Sequence, residues 1–196
     1  MIDLLEQPST EVAPRLLGGL LTVDGVTLRI TEVEAYLGER DPGSHAFRGP
    51  GRRNAVMYGP PGHLYTYFTY GMHVCANVVC SPEGVATAVL LRAGEIVEGV
   101  EVARLRRTTS RTDAGLARGP ARLCVALGIT LADGGADLDG PRVRLELPAT
   151  QAEFATGPRT GVSGPGGSSV DYPWRFWIPG DPTVSPYKAH VPKKRT

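Results

Sequence analysis

Residues 62–79 read GHLYTYFTYGMHVCANVV and form the most strongly patterned stretch of the chain. Aromatic and β-branched residues flank Gly71-Met72. That pattern predicts a hairpin with one strand over His63–Tyr70 and its partner over His73–Val79. Alternation puts Tyr65 and Tyr67 on one face and Thr66 and Phe68 on the other. Val85–Arg92 reads as a third partner strand. Upstream, Leu20–Val23 and Val26–Glu34 are joined by Asp24-Gly25, a strong hairpin signal. Thr10 is positioned to cap a short helix over Glu11–Leu17 that Gly18-Gly19 stops. A loop rich in turn residues spans Gly38 to Arg53. Ile96–Arg107 has helical spacing. A helix opening at Gly119-Pro120 buries Leu123, Ala126 and Leu127 and ends at Gly128. Val143–Leu147 and Arg159–Val162 read as short strands, and Ser163–Ser169 as a glycine-rich loop. With 25 glycines and 17 prolines in 196 residues, short elements and many turns are expected rather than a helical bundle. The expected fold is α+β, one domain over residues 1–196, with a curved, mostly antiparallel sheet and flanking helices. From about residue 186 a flexible basic tail is expected.

Composition excludes several classes. Apolar residues make up 41% of the chain, enough for a conventional core. No run approaches the roughly 18 apolar residues of a membrane helix. The N-terminus, Met1–Glu6, carries two acids and no basic segment, unlike a secretory signal. Cys75, Cys80 and Cys124 show no metal-type clustering and read as reduced thiols of a cytoplasmic protein. Net charge is only +1, but it is unevenly spread: residues 104–122 hold six arginines and one acid, Asp113. Such a basic face suits phosphate contact and equally suits a solvated helix face.

The candidate chemistry lies in two short segments. Glu32, Glu34 and Tyr36 share one face of a strand by period two, either lining a cleft or facing solvent. Tyr58, Tyr65, Tyr67 and Tyr70 form either hairpin packing or a platform for unstacked bases. His45, His63 and His73 match no zinc spacing, so neither a metal nor another cofactor is expected.

These segments carry a resemblance. The run Glu32-Val33-Glu34-Ala35-Tyr36-Leu37-Gly38 is followed by Asp41, His45, Arg53-Asn54 and Met57. Then come Pro61 to Tyr67, Tyr70-Gly71-Met72-His73-Val74-Cys75-Ala76-Asn77 and Leu90-Leu91-Arg92-Ala93, and finally Gly119–Leu123 and Pro173-Trp174-Arg175-Phe176. In order and spacing this resembles the alkyladenine (3-methyladenine) DNA glycosylase family over roughly residues 10–180.

The resemblance implies a monofunctional enzyme of base excision repair. It flips an alkylated or deaminated purine from duplex DNA and hydrolyses the N-glycosidic bond. Glu34 would activate the water and Arg92 help fix it. Tyr36, His45 and Tyr67 would wall the base pocket, with Asn77 and Leu90 at its floor. Tyr70, with Met72 and His73, would wedge into the duplex from a protruding hairpin. Arg53, Arg118 and Arg122 would meet the DNA backbone. A monomer is implied. The three lysines, Lys188, Lys193 and Lys194, lie far in sequence from every motif, so a Schiff-base lyase is not expected. Two departures stand out. Gly51-Arg52 replaces the threonine usual in the loop before Arg53-Asn54. The chain also starts only a few residues before the matching region, so no DNA-searching extension is expected. A non-catalytic nucleic-acid-binding relative, an RNA-binding module and a metal-dependent hydrolase remain as alternatives.

Overall fold

The structure, a computed structural model, describes residues 1–69 and 71–189. The described helices are α1 (Ile2–Leu5), α2 (Ser9–Leu16), α3 (Val100–Arg106) and α4 (Pro120–Leu127). The strands are β1 (Leu20–Val23), β2 (Val26–Tyr36), β3 (Leu64–Thr69), β4 (His73–Cys80) and β5 (Thr87–Glu98). They continue with β6 (Ala117–Arg118), β7 (Val143–Glu146), β8 (Ala155–Gly157) and β9 (Arg175–Trp177). All pairings are antiparallel, in one unclosed sheet ordered β3-β4-β5-β2-β1-β7. β6 pairs with β5, while β9 pairs with both β2 and β8. The fold is α+β, as the sequence implied.

The central strands are buried on both faces, and period two separates the two sets. Val33 and Ala35 of β2, Val89 and Leu91 of β5, and Ala76 and Val78 of β4 join the main core with Leu16 of α2 and Leu123 and Leu127 of α4. Each fully buried valine or leucine side chain among them contributes about 1.5–3 kcal/mol. The alternate set faces the other way. A single cross-strand row runs Tyr65, Asn77, Leu90, Glu34, from β3 through β4 and β5 to β2. Register shifts between Ile30 and Glu32 and between Glu32 and Val33 mark an irregularity in β2, the kind that bends a strand and re-aims its side chains.

Several boundaries differ from the sequence expectation. Helix α2 starts at Ser9 behind Pro8 with no side-chain cap. Ser9 Oγ instead donates to the Tyr36 carbonyl at 2.9 Å, tying α2 to the end of β2. Ile96 belongs to β5, which runs to Glu98 because Thr27 pairs with Glu98 in β2. The Thr27 hydroxyl also donates to Glu98 at 2.9 Å. Gly99, at φ +70, breaks the strand and helix α3 starts only at Val100. Arg159–Val162 is not a strand, because the arginine is consumed by a buried ion pair described below. The neighbouring strand is Ala155–Gly157.

The basic segment is partly spent internally. Arg104 pairs with Glu101 and with Asp113, Arg106 donates to the Ala126 carbonyl and Arg107 to the Leu116 carbonyl. Among the described residues no helix is long and apolar enough to cross a membrane. Lys188 offers its carbonyl to the Gly161 N–H at 3.1 Å. Lys193, Lys194 and Arg195 lie outside the described residues.

Candidate active site

A cleft of 370 Å³ opens on the sheet face that carries the cross-strand row. Its floor and walls come from β2, β3, β4 and β5. Two loops, Pro42–His45 and Thr160–Ser163, close it over, and Pro120 and Ala121 at the start of α4 form part of the rim. Glu34, Tyr36, His45, Tyr67, His73, Asn77, Leu90 and Arg92 all line it. The structure thus gathers eight of the expected site residues from five separate segments.

Glu34 is fully buried from the bulk solvent yet borders the cleft. Its Oε2 accepts the Tyr36 hydroxyl at 2.8 Å. Its Oε1 accepts the Thr160 N–H at 2.6 Å and faces Arg92 Nη1 at 3.4 Å. A carboxylate offers about four lone-pair sites. Two take hydrogen bonds, one on each oxygen, and Arg92 stands beside the second site of Oε1, which is free to accept a proton from a water in the cleft. Tyr36 stays protonated as a donor, because burial and the adjoining Glu34 carboxylate raise its phenol well above the ordinary range. Burial opposes the charge on Arg92, but the Glu34 and Glu32 carboxylates override it and keep the guanidinium protonated.

The aromatic residues divide by role. Tyr65 is buried with Met57, Val79 and Ala88 and is chiefly packing. Tyr67, half-buried, stands edge-on to His45 with ring centroids 4.5 Å apart. His45 Nδ1 lies 3.1 Å from the Tyr65 hydroxyl. The His45 residue is exposed at the mouth, yet desolvation by surrounding protein, and then the Arg53 cation, lower its pKa to about 4. The imidazole is therefore neutral at physiological pH. Glu32 does not reach the cleft. It is buried behind Arg92, so the solvent-facing alternative for the Glu-Glu-Tyr row is excluded.

Asn77 Nδ2 donates to the Tyr65 carbonyl at 3.0 Å while the residue lines the cleft. The bond ties β4 to β3 and at the same time prevents the amide from swinging aside. Met72 is 69% exposed and His73 is also exposed, both at the tip of the β3–β4 hairpin; Tyr70 lies outside the described residues. Arg53, Arg118 and Arg122 are exposed outside the cleft. Arg53 donates to the Phe68 carbonyl at 3.1 Å and lies 5.5 Å from the Tyr67 ring centroid. Arg118 uses its Nε on the Val184 carbonyl at 2.8 Å. Among the described residues no three His, Cys, Asp or Glu side chains converge as a metal site. Cys75, Cys80 and Cys124 are buried and unpaired.

The sequence reading missed two features. The first is the Thr160 N–H on Glu34. The second is the buried pair between Asp41 and Arg159, at 2.6 and 2.7 Å, which clamps the two cleft loops together. Gly43 permits this approach: a Cβ there would fall 2.5 Å from Arg159 Nη2. Arg159 also donates to the Ala35 and Gly166 carbonyls and lies 4.5 Å from the Tyr36 ring centroid. The only local signal was Arg159 alone among glycines and prolines and Asp41 next to Pro42-Gly43, directly after Glu39-Arg40. Lys188, far in sequence, is brought by its backbone to Gly161 of the cleft loop, although it does not line the cleft.

Fold and cleft together define an α+β protein with a buried, arginine-partnered carboxylate at the foot of an aromatic-walled pocket. A family model described as Methylpurine-DNA glycosylase matches residues 3–182. A relative from Leifsonia xyli subsp. xyli is 65% identical over 197 residues, covering 96% of this chain and 92% of the relative. One from Streptomyces avermitilis is 56% identical over 202 residues, covering 98% and 93%. One from Nocardia farcinica is 52% identical over 195 residues, covering 95% and 90%. All three carry 3-methyladenine DNA glycosylase as a provisional name. The chain belongs to the methylpurine-DNA glycosylase family, the DNA-repair hydrolases that act on N-glycosyl bonds.

Proposed function

We propose that the protein flips an alkylated or deaminated purine out of duplex DNA into the cleft. There a water activated by Glu34 hydrolyses the N-glycosidic bond and leaves an abasic site. The observation that carries this is the Glu34 carboxylate, held by two hydrogen-bond donors beside the Arg92 cation, with an acceptor site of Oε1 open to the cleft. Arg92 helps hold the water. Tyr36 and Tyr67 stack on the base and favour cationic N3- or N7-alkylated purines through their electron-rich faces. His45, neutral, completes the wall. Leu90 and Asn77 form the floor.

Extruding a base costs a few kcal/mol and leaves a gap that must be filled. The exposed hairpin tip beside the cleft mouth suits that task, with Tyr70 as the wedge and Met72 and His73 beside it. Arg53, Arg118 and Arg122 serve as backbone contacts around the mouth. The protein acts as a monomeric single domain in the cytoplasm, associated with the nucleoid while on DNA. A relative that only binds nucleic acid is the other reading. It is disfavoured because a buried Glu34–Arg92 pair is costly to fold around and adds nothing to a binding surface.

The direct test is release of free base from duplexes that each carry 3-methyladenine, 7-methylguanine, hypoxanthine or ethenoadenine. Excision is expected to persist in EDTA, with no enzyme–DNA adduct trapped by borohydride. Loss of activity to the chelator would point to a metal hydrolase, and a covalent band would point to an amine nucleophile, with Lys188 the first to replace.

Asn77 is the proposed filter against guanine. Adenine-like lesions and hypoxanthine lack an amino group at C2, and guanine carries one there. A tethered amide at the floor occupies the space that group needs. In Asn77→Ser, excision of 7-methylguanine and of guanine should rise relative to hypoxanthine by about tenfold, the size of one unmade buried hydrogen bond. A parallel fall for all substrates would make Asn77 a strand tie only.

A further inference from the structure

Ser185 lies 153 positions from Glu32, yet the two are bonded twice. The Ser185 N–H donates to Glu32 Oε2 at 2.7 Å and its hydroxyl lies 3.0 Å from Oε1. Arg92 Nη2 donates to the same hydroxyl at 3.3 Å, and Arg92 Nε donates to Glu32 Oε1 at 2.9 Å. Arg175 completes the cluster. Its Nε reaches Glu32 Oε1 at 2.6 Å and its Nη2 reaches the Ser185 carbonyl at 2.8 Å. All four residues are buried. The segment that delivers Ser185 is itself pinned along β2. Asp181 pairs with Arg29 at 2.7 Å, and the Thr183 hydroxyl meets that of Thr31 at 2.7 Å.

Arg92 is therefore suspended between two carboxylates. Glu32 and Ser185 take its Nε and Nη2, and they leave Nη1 at 3.4 Å from Glu34, longer than a good charged hydrogen bond. Released from those anchors, the guanidinium would close on Glu34 and occupy the acceptor site that a water needs. Taking Glu34 as the base, we propose that Glu32 and Ser185 are positioning residues for excision: they hold Arg92 back, so that the carboxylate keeps one site open for the attacking water.

Burial alone would raise the Glu32 pKa, but the Arg92 and Arg175 cations and the Ser185 hydroxyl override it and lower it. Glu32 is thus the resident anion of this cluster. The groups facing Glu34 are Arg92 from β5, Tyr36 from its own strand and the Thr160 N–H from the cleft loop. Tyr67, Cys75 and Arg159 lie around it. Of the guanidiniums of Arg92 and Arg159, only that of Arg92 is bonded to the Ser185 hydroxyl.

Ser185→Ala tests the idea with little disturbance, since the backbone bonds to Glu32 and Arg175 survive. Single-turnover excision from a hypoxanthine duplex should fall by about tenfold, the worth of one hydrogen bond to a charged group. The loss should fall on the excision step, with affinity for the hypoxanthine duplex unchanged. Glu32→Gln should slow excision in the same way, and if it does not fold, Ser185→Ala decides alone. A rate within about twofold of the parent overturns the proposal. So does a slower reaction with an equal loss of duplex affinity, which marks a packing role. Glu34→Gln run in parallel separates the two levels. If it excises normally, the base assignment fails. If it is inactive while Ser185→Ala behaves as the parent, only the positioning role fails.

Discussion

Replacing Glu34 by Gln should lower single-turnover excision by roughly 10²–10⁴-fold, the range of lost general-base catalysis. The protein should still fold and bind undamaged duplex as before. The structure explains why so central a change is tolerated. The amide oxygen of Gln can still accept the Thr160 N–H, and the Tyr36 hydroxyl can turn from donor to acceptor. Arg92 is not orphaned either, because Glu32 remains its partner at 2.9 Å. What disappears is the acceptor that takes a proton from water. Measurements of melting temperature and duplex affinity should accompany the kinetics. A mutant that releases hypoxanthine at close to the parent rate would remove Glu34 from the mechanism.

Asp41→Ala is expected to be the most damaging substitution for stability. Asp41 and Arg159 are both fully buried, joined by two bonds of 2.6 and 2.7 Å. Asp41 also accepts the Leu37 and Gly43 N–H groups. Removing one partner of such a pair leaves a buried charge uncompensated and costs about 3–5 kcal/mol. Removing both, in Asp41→Ala with Arg159→Met, should cost less than the single change, because no charge is stranded. Urea denaturation of the two variants reads the difference directly. Excision should fall with the single change as well, because Thr160, one residue from Arg159, supplies the N–H that holds Glu34 at 2.6 Å. If the double variant proves less stable than the single, the pair is not acting as a clamp.

The two hairpins were readable because their information is local. Asp24-Gly25 and Gly71-Met72 sit between alternating runs, and β1 to β4 fall within a residue or two of the expected bounds. Alternation also placed Glu34 and Tyr36, and separately Tyr65 and Tyr67, on common faces. The start of α4 at Pro120 and its end at Gly128, in the left-handed region, followed from the chemistry of those two residues. Where local signals competed with pairing, they lost. Ile96 has helical spacing with Val100 and Ala103, yet β5 keeps it, because extending the ladder to Thr27–Glu98 satisfies backbone groups that a buried helix start would leave open.

The sequence by itself determined the hairpins, the α4 helix and which residue types alternate onto one face. Only the tertiary structure decided the electrostatics of the site. Glu34 is held by a backbone N–H 126 positions away, Asp41 by an arginine 118 away and Glu32 by a serine 153 away. No periodicity links such residues, since each contact exists only once the loops have folded back over the sheet. The physical reason is burial. A charge removed from water must find its partner wherever the fold brings one, and sequence distance does not enter that requirement.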